Sequence, residues 1–155
     1  MSVAKGDRGR TADNLETARV LKGLCVYTIQ ICKNEKNFPK RDRWLLTQPI
    51  VKCAVNAYAQ ARKANSIRVT TEDDYRLRRR YQTKAKANLE ALLGLIEIAY
   101  DGLSLDGERV AYWTRCVMEA ERLMSAWKAS DRKRFRKIQE DDPAGNGDRT
   151  SGDPL

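Results

Sequence analysis

The chain contains no histidine. It therefore lacks both the commonest general base and the commonest nitrogen ligand for metals. Its four cysteines, Cys25, Cys32, Cys53 and Cys116, form no Cys-x-x-Cys pair, which argues against a zinc site. There is no glycine-rich phosphate loop and no His-Glu-x-x-His, and without imidazole no Ser/His or Cys/His pair can form. Glu90 and Glu97 lie two turns apart on one helix side, but a di-iron bundle would need Glu-x-x-His pairs. Glu119 and Glu121 flank Ala120 and are expected to point outward. The expectation is a protein that is not an enzyme, with no catalytic residue, no cofactor and no metal.

Other absences narrow the class. No apolar run approaches the roughly 18 residues of a membrane span, and the charged N-terminus lacks the apolar stretch of a signal peptide. No segment alternates with period two, so a sheet is not expected. Cys25 and Cys32 share a helical face and read as small, reduced core residues. These features predict a soluble cytoplasmic protein without a membrane partner.

What the chain does have is positive charge. Its 30 Lys and Arg face 21 Asp and Glu, for a formal net charge of +9. The excess is uneven. Residues 14–139 carry 26 basic and 14 acidic side chains, whereas residues 140–155 carry five acids and one Arg. Residues 1–13 and 140–155 offer little to bury and cannot offset their ordering entropy, so they read as a disordered N-terminal arm and a disordered acidic tail.

Between them, apolar residues recur at three and four. Helix one is predicted over about residues 14–34, with the stripe Leu21, Leu24, Cys25, Thr28, Ile31 and Cys32; Asn37-Phe38-Pro39 stops it. Helix two spans about 40–64 and uses Leu45 or Leu46, Ile50, Cys53, Ala57 and Ala61. Pro49 predicts either a kink or a true start near Gln48. Helix three spans about 71–100, capped at Thr71 with Glu72, Asp73 and Asp74 in its first turn. Its stripe runs through Leu77, Tyr81, Ala85, Asn88 or Leu89, Leu92, Leu95, Ile96 and Ala99. Asp101-Gly102 stops it, and Ser104 or Asp106 caps helix four, about 105–139. There Val110, Trp113, Val117, Ala120, Met124 and Trp127 form a stripe that fails at Asp131. The predicted fold is all-α, an antiparallel up-down-up-down four-helix bundle.

That topology sorts the charge. One pole gathers Arg19, Lys22, Arg62, Lys63, Arg68, Arg76, Arg78, Arg79, Arg80, Lys84, Lys86, Lys128, Arg132, Lys133, Arg134, Arg136 and Lys137; the other mixes signs. Arg76, Arg80 and Lys84 form an i, i+4 row able to track a phosphate backbone. The expected nucleic-acid-binding set is Arg62, Lys63, Arg76, Arg79, Arg80, Lys84, Lys128, Arg132, Lys133, Arg134, Arg136 and Lys137.

Several short segments carry a resemblance: Asn-Phe-Pro-Lys at 37–40, Arg-Asp-Arg-Trp-Leu-Leu at 41–46, Leu-Ser-Leu at 103–105 and Leu-Met-Ser-Ala-Trp-Lys at 123–128. Over about residues 15–130 the chain resembles the accessory variability determinant (Avd) proteins of diversity-generating retroelements. It is similar also to the four-helix-bundle proteins encoded in intervening sequences of bacterial 23S ribosomal RNA genes. The resemblance implies a homopentameric barrel of bundles that binds a reverse transcriptase and template-repeat RNA or cDNA in support of mutagenic retrohoming, with no active site of its own. The alternatives are a stand-alone RNA-binding bundle of the intervening-sequence type and a structural protein-interaction adaptor. Pro49 and the basic extension after Trp127 depart from the family's pattern.

Overall fold

All regular structure within residues 5–140, the part of the chain described by the computed structural model, is helical; side chains are described from Asn14 onward. The protein is all-α. Helix α1 spans Lys5–Lys33, α2 Gln48–Ser66, α3 Glu72–Leu103, α4 Gly107–Arg134 and the short α5 Arg136–Glu140. The chain before α2 forms a 3-10 turn, Lys40–Asp42, and a π turn, Arg43–Thr47.

Three boundaries differ from the sequence reading, and a fourth settles an open alternative. Helix α1 begins at Lys5, nine residues before Asn14, so most of the expected N-terminal arm is helical; residues 1–4 lie outside the described part. Of the expected acidic tail, Glu140 is helical and ends α5, and residues 141–155 lie outside the described part. Helix α2 begins at Gln48, the second of the two alternatives that Pro49 left open. With no N–H at Pro49, the helical bond series cannot run unbroken from Lys40. Proline is instead tolerated in a first turn, where that N–H has no partner in any case. Helix α3 continues through Asp101-Gly102 to Leu103 and closes on Ser104, whose φ of 54° is left-handed. The expected fourth helix breaks at Phe135 into α4 and α5.

The caps follow local chemistry. Thr71 accepts a bond from the Asp74 amide, and the Asp74 carboxylate accepts from the Thr70 and Thr71 amides. These bonds, first those from Thr70, hold the Asp74 carboxyl below its usual range. Asp106, not Ser104, caps α4 by accepting from the Arg109 amide at 3.3 Å.

Helix α1 packs against α2 and α4, and α3 packs against the same two. Between α3 and α4 the facing pairs are Arg78–Asp131, Thr83–Lys128 and Glu90–Glu121. One number rises as the other falls, so the two helices run antiparallel. Helices α1 and α4 are also opposed: Trp113 donates to Thr28 Oγ1 at 3.1 Å, while Thr17 lies across from Asp131.

The core joins Leu21, Leu24 and Ile31 to Leu89, Leu92, Ile96, Trp113, Val117 and Met124, all buried. Each such large apolar side chain contributes about 1.5–3 kcal/mol on leaving water. Helix α2 supplies Ile50 and then Ala54, Ala57, Ala61 and Ala64, whose small size lets α3 approach closely. In α2, the expected inward Cys53 is half-buried, its neighbour Ala54 being inside; of the alternatives Leu45 and Leu46, Leu46 packs against the core and Leu45 is 74% exposed beside an equally exposed Trp44. Among the described residues, no helix is long and apolar enough to cross a membrane.

Candidate nucleic-acid interface

The basic end is built on a buried ion pair. Arg78 and Asp131 are 5% and 3% exposed, and two Arg78 nitrogens donate to the Asp131 carboxylate at 2.7 and 3.0 Å. Gln82 donates to the same carboxylate at 2.8 Å, and Arg78 also reaches the Ile67 carbonyl at 3.3 Å. The guanidinium lies over the rings of Trp127 and Phe135, at 5.2 and 5.8 Å from their centroids. One arginine thereby ties the α2–α3 connection, α3, α4 and the break before α5. Asp131 does not end the buried stripe of α4; it continues it, one turn beyond Trp127 and one before Phe135. Arg78 therefore belongs to the scaffold, not to the exposed charge of the pole.

With those groups locked inside, the remaining cations are presented outward. A groove between α3 and α4 is lined by Arg79, Lys86, Lys128, Arg132, Lys133 and Arg136, together with Ser125 and Ala129. Six of the eight lining residues are cationic and none is acidic. Lys128 is partly sunk in this groove, donating to Thr83 Oγ1 at 3.1 Å. Burial first, then the charges of Arg79 and Lys86, push its ammonium below the usual lysine range. A lysine held partly buried among like charges, with no carboxylate lining the groove, favours an anion beside it. On the far side of Lys86, burial and the neighbouring Glu90 raise the Glu121 carboxyl, and Lys86 opposes that rise.

A second strip runs along α3. Arg76, Arg79, Arg80 and Lys84 line it with Asp73, Asp74, Leu77 and Thr83. Asp74 is spent on the cap, and Arg76 pairs with Glu72 at 3.2 Å. Arg79 donates to the Tyr75 hydroxyl at 3.1 Å and lines both strips, joining ridge and groove into one face.

The structure thus brings together most of the expected set, but not all of it. Arg76, Arg79, Arg80 and Lys84 share the α3 strip; Arg79, Lys128, Arg132, Lys133 and Arg136 share the groove. Lys63 lies beside the strip, its ammonium 5.9 Å from the Tyr81 ring, with Lys84 at the same distance from that ring. Arg62 and Lys137 are exposed but line neither feature. Arg134 turns away, toward a different pocket shared with Asn14, Glu16 and Thr17 of α1. Lys86, grouped with the basic pole but left outside the expected set, lines the groove. The signal for it was helical phase: Arg79 and Lys86 lie seven apart, two turns, on one side of α3.

No family model matches the chain, and neither a curated protein nor a solved structure was found similar to it.

Proposed function

We propose that this protein is a non-enzymatic nucleic-acid-binding accessory subunit of a diversity-generating retroelement, holding template RNA or its cDNA beside a reverse transcriptase in the cytoplasm. One observation carries the binding half of this reading: the α3–α4 groove gathers six cations and no carboxylate. A fold loses stability by crowding like charges, and a polyanionic backbone relieves that repulsion while releasing counterions. The resemblance to Avd proteins over residues 15–130 supplies the retroelement half. In this reading the four long helices form an antiparallel up-down-up-down bundle, and five copies close into a barrel. Trp44 and Leu45, each 74% exposed, give the assembly apolar surface to cover.

Reconstitution with the reverse transcriptase encoded beside the gene, and its template RNA, tests the proposal. All three components are expected to co-purify, and cDNA synthesis should depend on this chain. The triple variant R76E/R80E/K84E is expected to keep the polymerase and lose the RNA. Loss of the polymerase with RNA retained would contradict the assignment of surfaces. Native mass measurement should give a pentamer, and a stable monomer would contradict the barrel. Nucleic-acid binding without any neighbouring reverse transcriptase gene would instead favour a stand-alone RNA-binding bundle, a reading that the groove supports equally.

A further inference from the structure

We infer that the basic face takes a double-stranded backbone in preference to an unstacked single strand. This rests on the nucleic-acid reading above and specifies its ligand. Proteins that hold single strands combine a basic channel with exposed aromatic rings on which successive bases stack. At the basic end of this protein the aromatic side chains are already committed. Tyr75, Trp127 and Phe135 are 5–7% exposed. Tyr75 packs on Phe135 at 5.9 Å between centroids, and Trp127 lies beneath the Arg78 guanidinium. Tyr81 is half-buried, with the Lys63 and Lys84 ammonium groups each 5.9 Å from its ring centre. A base approaching that ring would compete with these two ammonium groups.

The exposed aromatic residues lie elsewhere. Trp44 precedes α2, Tyr100 is near the end of α3 and Tyr112 is near the start of α4, at the opposite end of the helices from Arg132. What the basic end presents is charge without stacking surface. Such a face responds to phosphate density, and a duplex carries one charge per ~1.7 Å of axis, twice that of either strand alone. Arg76, Arg80 and Lys84 repeat every four residues, about 6 Å of helix rise. With the groove cations across Arg79, they form two adjoining files of charge, suited to phosphates arriving in rows. Recognition of this kind reads the backbone's shape and leaves base sequence unread.

The test is equilibrium binding of the full chain to one mixed-sequence RNA, offered single-stranded, as an RNA duplex and as an RNA–DNA hybrid, with the matching DNA duplex as a fourth arm. At equal length and salt, the paired forms should bind about fivefold or more tightly than the single strand, with the steeper salt dependence expected of duplexes. Y81A should leave single-strand affinity within twofold. Comparison among the three paired arms identifies which duplex is the preferred source of the backbone. Equal or tighter binding of the single strand, or its loss in Y81A, would overturn the inference while leaving nucleic-acid binding intact. Binding to none of the four would overturn both.

Discussion

Replacing Asp131 with alanine is expected to destabilise the fold by about 3–5 kcal/mol, the usual cost of removing one partner from a buried ion pair. The substitution would strand the Arg78 guanidinium, 5% exposed, with the Ile67 carbonyl as its one remaining hydrogen-bond acceptor and two aromatic rings beneath it. It would also remove the acceptor that Gln82 uses. Chemical denaturation of D131A against the parent chain measures this; a change below about 1 kcal/mol would mean that Arg78 escapes to water at little cost. A double replacement, R78M/D131L, separates charge from packing. Apolar residues of similar volume in place of a buried pair are often neutral or stabilising, so the double variant should recover most of what D131A loses.

The second large effect is on binding. Reversing Lys128, Arg132 and Arg136 to glutamate turns the groove from six cations to three cations and three carboxylates. Affinity for RNA or DNA at low salt should fall by two orders of magnitude or more, and the salt slope should flatten by about three, near one for each phosphate no longer neutralised. None of the three side chains is in the core, so thermal stability should move little. The control is K36E/K52E/R109E, which makes the same change of net charge at three exposed positions outside the groove. Equal losses in both variants would make the effect one of net charge alone, and the groove would not be the site.

Much of the fold was legible because apolar periodicity is a strong signal. The stripes placed all four long helices, and the Thr71 cap and the Trp113–Trp127 stripe matched the structure. Two of the misses share a cause: polar residues in buried positions. Helix α3 was phased on Leu77 and Tyr81, which are half-buried, because Arg78 and Gln82 looked like surface. In the structure the buried line passes through Tyr75, Arg78, Gln82, Ala85 and Leu89. Asp131 misled in the same way, since a lone carboxylate shows nothing in sequence of the arginine it meets 53 residues away. Pro49 was a readable warning, but not the π turn before it or the outward turn of Leu45.

The site was legible as a pole but not as a groove. Charge counting gathered the cations at one end of the molecule and could not choose among its arginines. Arg78 became scaffold and Arg134 faced α1, while Lys86 joined the groove; each outcome depends on helical phase relative to a neighbouring helix, which composition does not contain.

The central claim is that this face binds phosphate backbones through charge. The most direct measurement is the affinity of the full chain for a mixed-sequence duplex across a salt series. The account predicts a linear fall of log affinity with log salt, with a slope of about −5 if some six phosphates are neutralised. An affinity that stays flat across the series would contradict it.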